Sequence, residues 1–186
     1  MLRNCNALFL GGLSFALFIS VVFLRDHAPI SPNTEPGLGR VVISAPILVA
    51  LYGGDRFLAA NLEVMRLAAT SMDGQGVDAD YLIRAQQEVS QLNPCHEDNY
   101  YLANGLLTWG GAVGPGNKVL EAATYCRFWD YIPPFFYGVN LSFFQHDNIE
   151  AARFLEVSAL RSAENAASLR KVAIMLRADQ FADERL

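Results

Sequence analysis

His146–Ala159 reads HDNIEAARFLEVSA, and its pattern of small and large apolar residues has a counterpart about 35 residues earlier in the chain. At that offset Gly116 aligns with Ala151, Leu120 with Leu155, Glu121 with Glu156 and Ala123 with Ser158. Upstream of these, Tyr100 aligns with Phe135 and Ala103 with Gly138. A repeat of this length is the signature of stacked helical hairpins, each unable to bury its apolar face alone. The small residues have a packing reason: helices that cross at ~8–10 Å leave no room for a long side chain at the crossing point. Gly116 and Ala151 are the expected crossing positions, and Ala151→Leu should overpack the second.

The flanking sequence continues the plan. Phe57, Leu58, Leu62, Met65 and Leu67, with Ala59, Ala60, Ala68 and Ala69, have helical spacing after Asp55 and run to about Thr70. Asp73–Gly76, DGQG, is a turn, and Asp78 can cap a helix that buries Leu82, Ile83, Ala85, Val89 and Leu92 before Asn93-Pro94 closes it. Further breaks fall at Gly110–Pro115, near Trp129–Pro134, at Asp147-Asn148 and around Ser162–Asn165. No run alternates with period two, so the expected fold class is all-α.

The aligned hairpins resemble the tetratricopeptide repeat, whose unit of ~34 residues has an aromatic early in helix A and small residues where helices A and B cross. Leu92-Asn93-Pro94 falls where a preceding repeat would close, and Leu92–Ala103, LNPCHEDNYYLA, resembles bacterial membrane-tethered repeat proteins. The resemblance covers roughly 78–161, with 55–70 an earlier half-repeat and 165–180 a capping helix. It departs from the family pattern at Asn104 and Val139 in the usual small position of helix A, at Phe128 in place of a closing proline, and at Pro133-Pro134. In such arrays helix A lines a concave groove. The resemblance therefore implies a partner-binding surface of Asp98, Tyr101, Thr108 and Trp109 in one unit and Phe136, Asn140, Phe143 and Phe144 in the next. Aromatic faces beside a backbone-bonding Asn suit an extended or helical segment; the competing reading is core packing for Trp109, Phe143 and Phe144.

Ahead of the repeats, Ala7–Leu24, ALFLGGLSFALFISVVFL, carries no charge, and ~18 residues at 1.5 Å each span roughly 27 Å, close to the hydrocarbon thickness. It is read as a transmembrane anchor, with residues 1–24 forming the N-terminal segment. A cleaved signal peptide fits less well, since no small-x-small site follows. A short N-terminus with most of the chain after the anchor places the following domain on the extracytoplasmic side of an inner membrane, in the periplasm of a bacterium. Residues 25–54 comprise a Pro/Gly-rich linker and the apolar element Val41–Tyr52, read as a packed N-terminal element with a membrane-surface segment as the alternative. Residues 55–186 are the repeat domain.

The net charge of −5 and the absence of a Lys/Arg run exclude phosphate-backbone binding as the main role. Cys95 begins helix A and Cys126 ends helix B of one antiparallel hairpin, so a disulfide is geometrically credible, the alternative being two separately buried thiols. His96-Glu97-Asp98, with Asp130 and His146-Asp147, offers metal-ligand and acid/base chemistry by residue type. Consecutive helical residues diverge by ~100°, however, so helix-end capping is the better account. No metal, cofactor or catalytic residue is therefore assigned. The expected function is a membrane-tethered scaffold or adaptor binding a protein or peptide within a larger complex. The alternative is a structural subunit of an integral membrane assembly with no peptide groove.

Overall fold

The computed structural model describes residues 12–20, 41–71 and 78–183, and the regular elements among them are all helical. The chain divides into two compact units, residues 1–35 and 36–186. In the first, residues 12–20 are helical with exposed side chains, and the Ser20 hydroxyl donates to the Ala16 carbonyl at 2.8 Å. The remainder of the expected anchor and residues 25–40 of the linker lie outside the described residues. No helix among those described is long and apolar enough to cross a membrane.

In the second unit the chain forms α1 (Ala45–Leu51), α2 (Arg56–Ser71), α3 (Ala79–Leu92) and α4 (Glu97–Leu102), which continues as a π-helix over Ala103–Thr108. There follow α5 (Val113–Cys126), α6 (Ile132–Gln145), α7 (Asn148–Arg161) and α8 (Ala166–Asp183). The repeat is visible in the element ends, since Glu97 to Ile132, Val113 to Asn148 and Cys126 to Arg161 are each 35 positions apart. Starts are set by local chemistry: the Asp78 and Asp147 carboxylates accept from the N–H groups of Asp80 and Glu150, satisfying donors that a helix leaves bare.

Each helix packs chiefly on its chain neighbour, and the crossings are close. A Cβ on Gly116 would stand 2.2 Å from Thr108 Oγ1 and 3.2 Å from the Ala103 carbonyl oxygen, and one on Gly138 would stand 3.0 Å from the Ala151 carbonyl oxygen. The helix-A positions in tight contact are thus Thr108 and Ala103 at Gly116, and Gly138 itself at Ala151.

Val41–Tyr52 is not a separate segment. Ser44 and Pro46 start α1, where a proline costs no hydrogen bond, and Gly53 and Gly54 turn the chain into α2 with φ of 66° and 92°, which glycine adopts without strain. Ala45 and Leu48 are buried in the same core as Leu67, Tyr81, Val89 and Leu120, and the Ala45 N–H donates to Glu88 at 2.5 Å. α1 is thus a packed N-terminal element, sharing its core with the helices that follow.

Along one edge, helix-A starts meet helix-B ends. Arg56 donates to the Leu92 and Gln91 carbonyls at 2.5 and 3.0 Å. A disulfide joins Cys95 to Cys126, with Cα atoms 5.2 Å apart. Arg127 donates to the Cys95 carbonyl at 3.2 Å and pairs with Glu97 and Asp130, each at 2.9 Å. Arg161 donates to the carbonyls of Thr124, Arg127 and Asp130 at 2.9, 3.2 and 3.1 Å. These carbonyls lie in the last turn of α5 or just past it, where a helix lacks internal donors and its dipole is negative, so a guanidinium is the fitting cap.

Candidate functional site

Glu97 and Asp98 favour the start of α4 by complementing its dipole, and the helix widens into the π-turn without a break. The widening shows in i to i−5 bonds: the Trp109 N–H donates to the Asn104 carbonyl at 3.2 Å and the Ala112 N–H to the Leu107 carbonyl at 2.8 Å. Such turns occur frequently at functional sites. Tyr101, Gly105 and Trp109 are exposed along this element.

Asp98 and Tyr101 come together in an open cleft of about 310 Å³, lined with them by Leu102 and walled on the other side by Val64, Met65 and Ala68 of α2. Tyr101 stacks on Tyr100 at 4.6 Å and meets the half-buried Phe136 edge-on at 5.6 Å. Trp109 lies 5.4 Å from Phe143 and 5.1 Å from Phe144. The predicted aromatics are thus paired between one helical hairpin and the next, Tyr101 with Phe136 and Trp109 with Phe143. Between Tyr101 and Trp109, Gly105 leaves open space, since a Cβ there would meet nothing within 4 Å.

Two expected groove residues are elsewhere. Asn140 is 1% exposed, and its amide nitrogen donates to Asn104 Oδ1 at 2.9 Å and Asn117 Oδ1 at 3.1 Å. Its donors satisfy two other side chains inside the repeat, where a bare amide would be costly, so it cannot grip a ligand backbone. Thr108 is likewise buried, against Gly116.

The acidic and histidine groups diverge. His96 Nε2 lies 2.9 Å from Asn61 Oδ1, Glu97 pairs with Arg127, and Asp98 faces the cleft. Burial lowers the His96 pKa; Asp98 and Glu97 oppose that shift and Arg127 reinforces it. Tyr100 donates to Asp130 at 3.0 Å, and burial, followed by its hydrogen bonds with Tyr101 and Asp130, holds the phenol well above its ordinary range. No group of three or more His, Cys, Asp or Glu able to hold a metal forms among the described residues.

Sequence reasoning missed Met65 as a wall of the cleft, because nothing local links α2 to α4. It also missed an apolar cavity of about 370 Å³ between the first turns of α6 and α8, lined by Tyr131, Ile132, Phe135, Ser168, Leu169 and Val172. No protein-family model, curated protein or solved structure matches the chain.

Proposed function

We propose that this chain is a membrane-tethered adaptor of tetratricopeptide-like architecture. In this reading its helix-A face holds an extended or helical segment of a protein partner within a larger membrane-associated complex. The observation that carries it is the exposed row Tyr101–Gly105–Trp109, backed by Phe136 and Phe143 of the next hairpin and opening into the cleft of Asp98 and Met65. Rigid aromatic faces bind at low entropic cost, and the gap at Gly105 leaves room for a partner side chain. Asp98 suits a basic residue beside an apolar anchor. The face is read as binding and not catalytic, with no cofactor assigned.

The tether is the uncharged run Ala7–Leu24, which gives the domain one pass through the inner membrane and a periplasmic position. The Cys95–Cys126 disulfide is compatible with that oxidising compartment. The test is a photoreactive residue at Tyr101, Gly105 or Phe143, with exposed Arg84 of α3 as control, crosslinked in membranes of the native host. One protein captured from the first three positions and not from Arg84 is the expected result. Equal or absent capture from all four would overturn the groove reading and put the structural-subunit reading first.

A further inference from the structure

We propose that one edge of the repeat domain rests on the lipid bilayer: the last turns of α5 and α7 and the α5–α6 loop, with Tyr125, Phe128, Trp129 and Leu160 at the headgroup boundary. The proposal rests on the tether reading above. These four side chains are 66%, 71%, 57% and 77% exposed. They sit at one end of the hairpins, where α5 and α7 finish. Tyr125 and Leu160 occupy equivalent positions 35 apart, and Arg161, next to Leu160, donates at 2.9 Å to the carbonyl of Thr124, next to Tyr125. Phe128 and Trp129 meet edge to face at 5.0 Å.

Three observations favour lipid as the occupant. The residue types are right, because Tyr and Trp combine an apolar body with a polar tip and concentrate where hydrocarbon gives way to headgroups. The two guanidinium groups nearest the aromatics are already engaged: Arg127, 5.6 Å from the Trp129 ring, pairs with Asp130 and Glu97, and Arg161 is committed to three carbonyls. Setting this edge against a bilayer therefore strands none of these charges. The apolar cavity lined by Tyr131, Phe135, Leu169 and Val172 lies between helix starts on the same edge. The bilayer is also close at hand. Residues 25–40 separate the uncharged run from the described domain, and sixteen residues extend at most ~3.3–3.6 Å each, roughly 50–60 Å in all. Within that reach a weak interfacial affinity acts at high effective concentration.

The chain has two tryptophans, which makes the test direct. Trp129 is on this edge, and Trp109 is at the other, beside the turn into α5. Full-length chains carrying Trp109→Phe or Trp129→Phe would be reconstituted into phosphatidylcholine–phosphatidylglycerol vesicles brominated on the acyl chains near the headgroup. Unchanged helical circular dichroism would show that both exposed substitutions fold. The expected result is a chain that floats with the vesicles, Trp129 emission that is blue-shifted and largely quenched, and Trp109 emission that is neither. Adding Phe128→Ser to the chain that keeps Trp129 should weaken the quenching. A floating chain in which Trp129 is unquenched, or in which the two tryptophans are quenched alike, overturns the docked edge and leaves the tether standing. A chain that does not float overturns the tether and the edge together.

Discussion

At Gly116 and Gly138 a single methyl group decides whether two helices fit. A Cβ on Gly116 would lie 2.2 Å from Thr108 Oγ1 and 3.0 Å from the Thr108 backbone nitrogen, and neither can retreat, since Thr108 is buried. Gly116→Ala should therefore cost about 1–3 kcal/mol, and Gly138→Ala, whose nearest contact is 3.0 Å, should cost less. Urea unfolding of the two variants measures the order. His96 gives a pH dependence at the same scale. Its folded pKa is depressed by burial, and its Nδ1 is buried without a hydrogen-bond partner, so a proton gained there in the folded state has no acceptor. Above the ordinary value of ~6.5 both folded and unfolded imidazoles are neutral and the group contributes no slope. As pH falls through ~6.5 the unfolded chain takes the proton first, so stability should drop until the folded pKa is passed. His96→Gln should reduce this dependence, read as the change in unfolding midpoint between about pH 7.5 and about pH 5.5.

Among the elements, the hairpin α4–α5 is fastened covalently. The disulfide closes a loop with a sequence separation of 31, worth roughly 3–4 kcal/mol by loop entropy. Cys95→Ser with Cys126→Ser should lower the unfolding free energy measured in urea by that amount, and reductant should have the same effect on the unmodified chain while leaving the double variant unmoved. Arg161 fastens the next hairpin to this one through three carbonyls. Arg161→Met keeps the apolar stem but removes the donors, and at about 1.5–3 kcal/mol for hydrogen bonds to a charged group it should destabilise the protein measurably. Hydrogen exchange would place the loss at the end of α5 and the α5–α6 loop, not at α2.

At the scale of the whole molecule, the packing of α1 bears on where the helical body begins. A fragment of residues 55–186 would lose the burial of Leu48 and Ala45 and the Ala45 N–H bonded to Glu88, and should be at least about 2 kcal/mol less stable than residues 36–186 in denaturant. The all-helical class, the repeat of 35 and most helix ends were legible in the chain alone, because apolar spacing, Asp caps and crossing glycines are local signals that need no partner to be read. Which face of α6 turns inward was not. Hydropathy would bury Phe143 and expose Asn140, yet the structure does the reverse, since Asn140 finds acceptors 36 and 23 residues away in Asn104 and Asn117. The Cys95–Cys126 bridge stands between the two cases: the hairpin brings both cysteines to one end, so the sequence offered the disulfide beside two buried thiols, and the tertiary structure chose the bond. The Asp98–Met65 cleft was decided by tertiary structure alone, because it depends on how separate helices stack, and a side chain far along the sequence that will complete a hydrogen bond or a cleft leaves no trace in the local pattern.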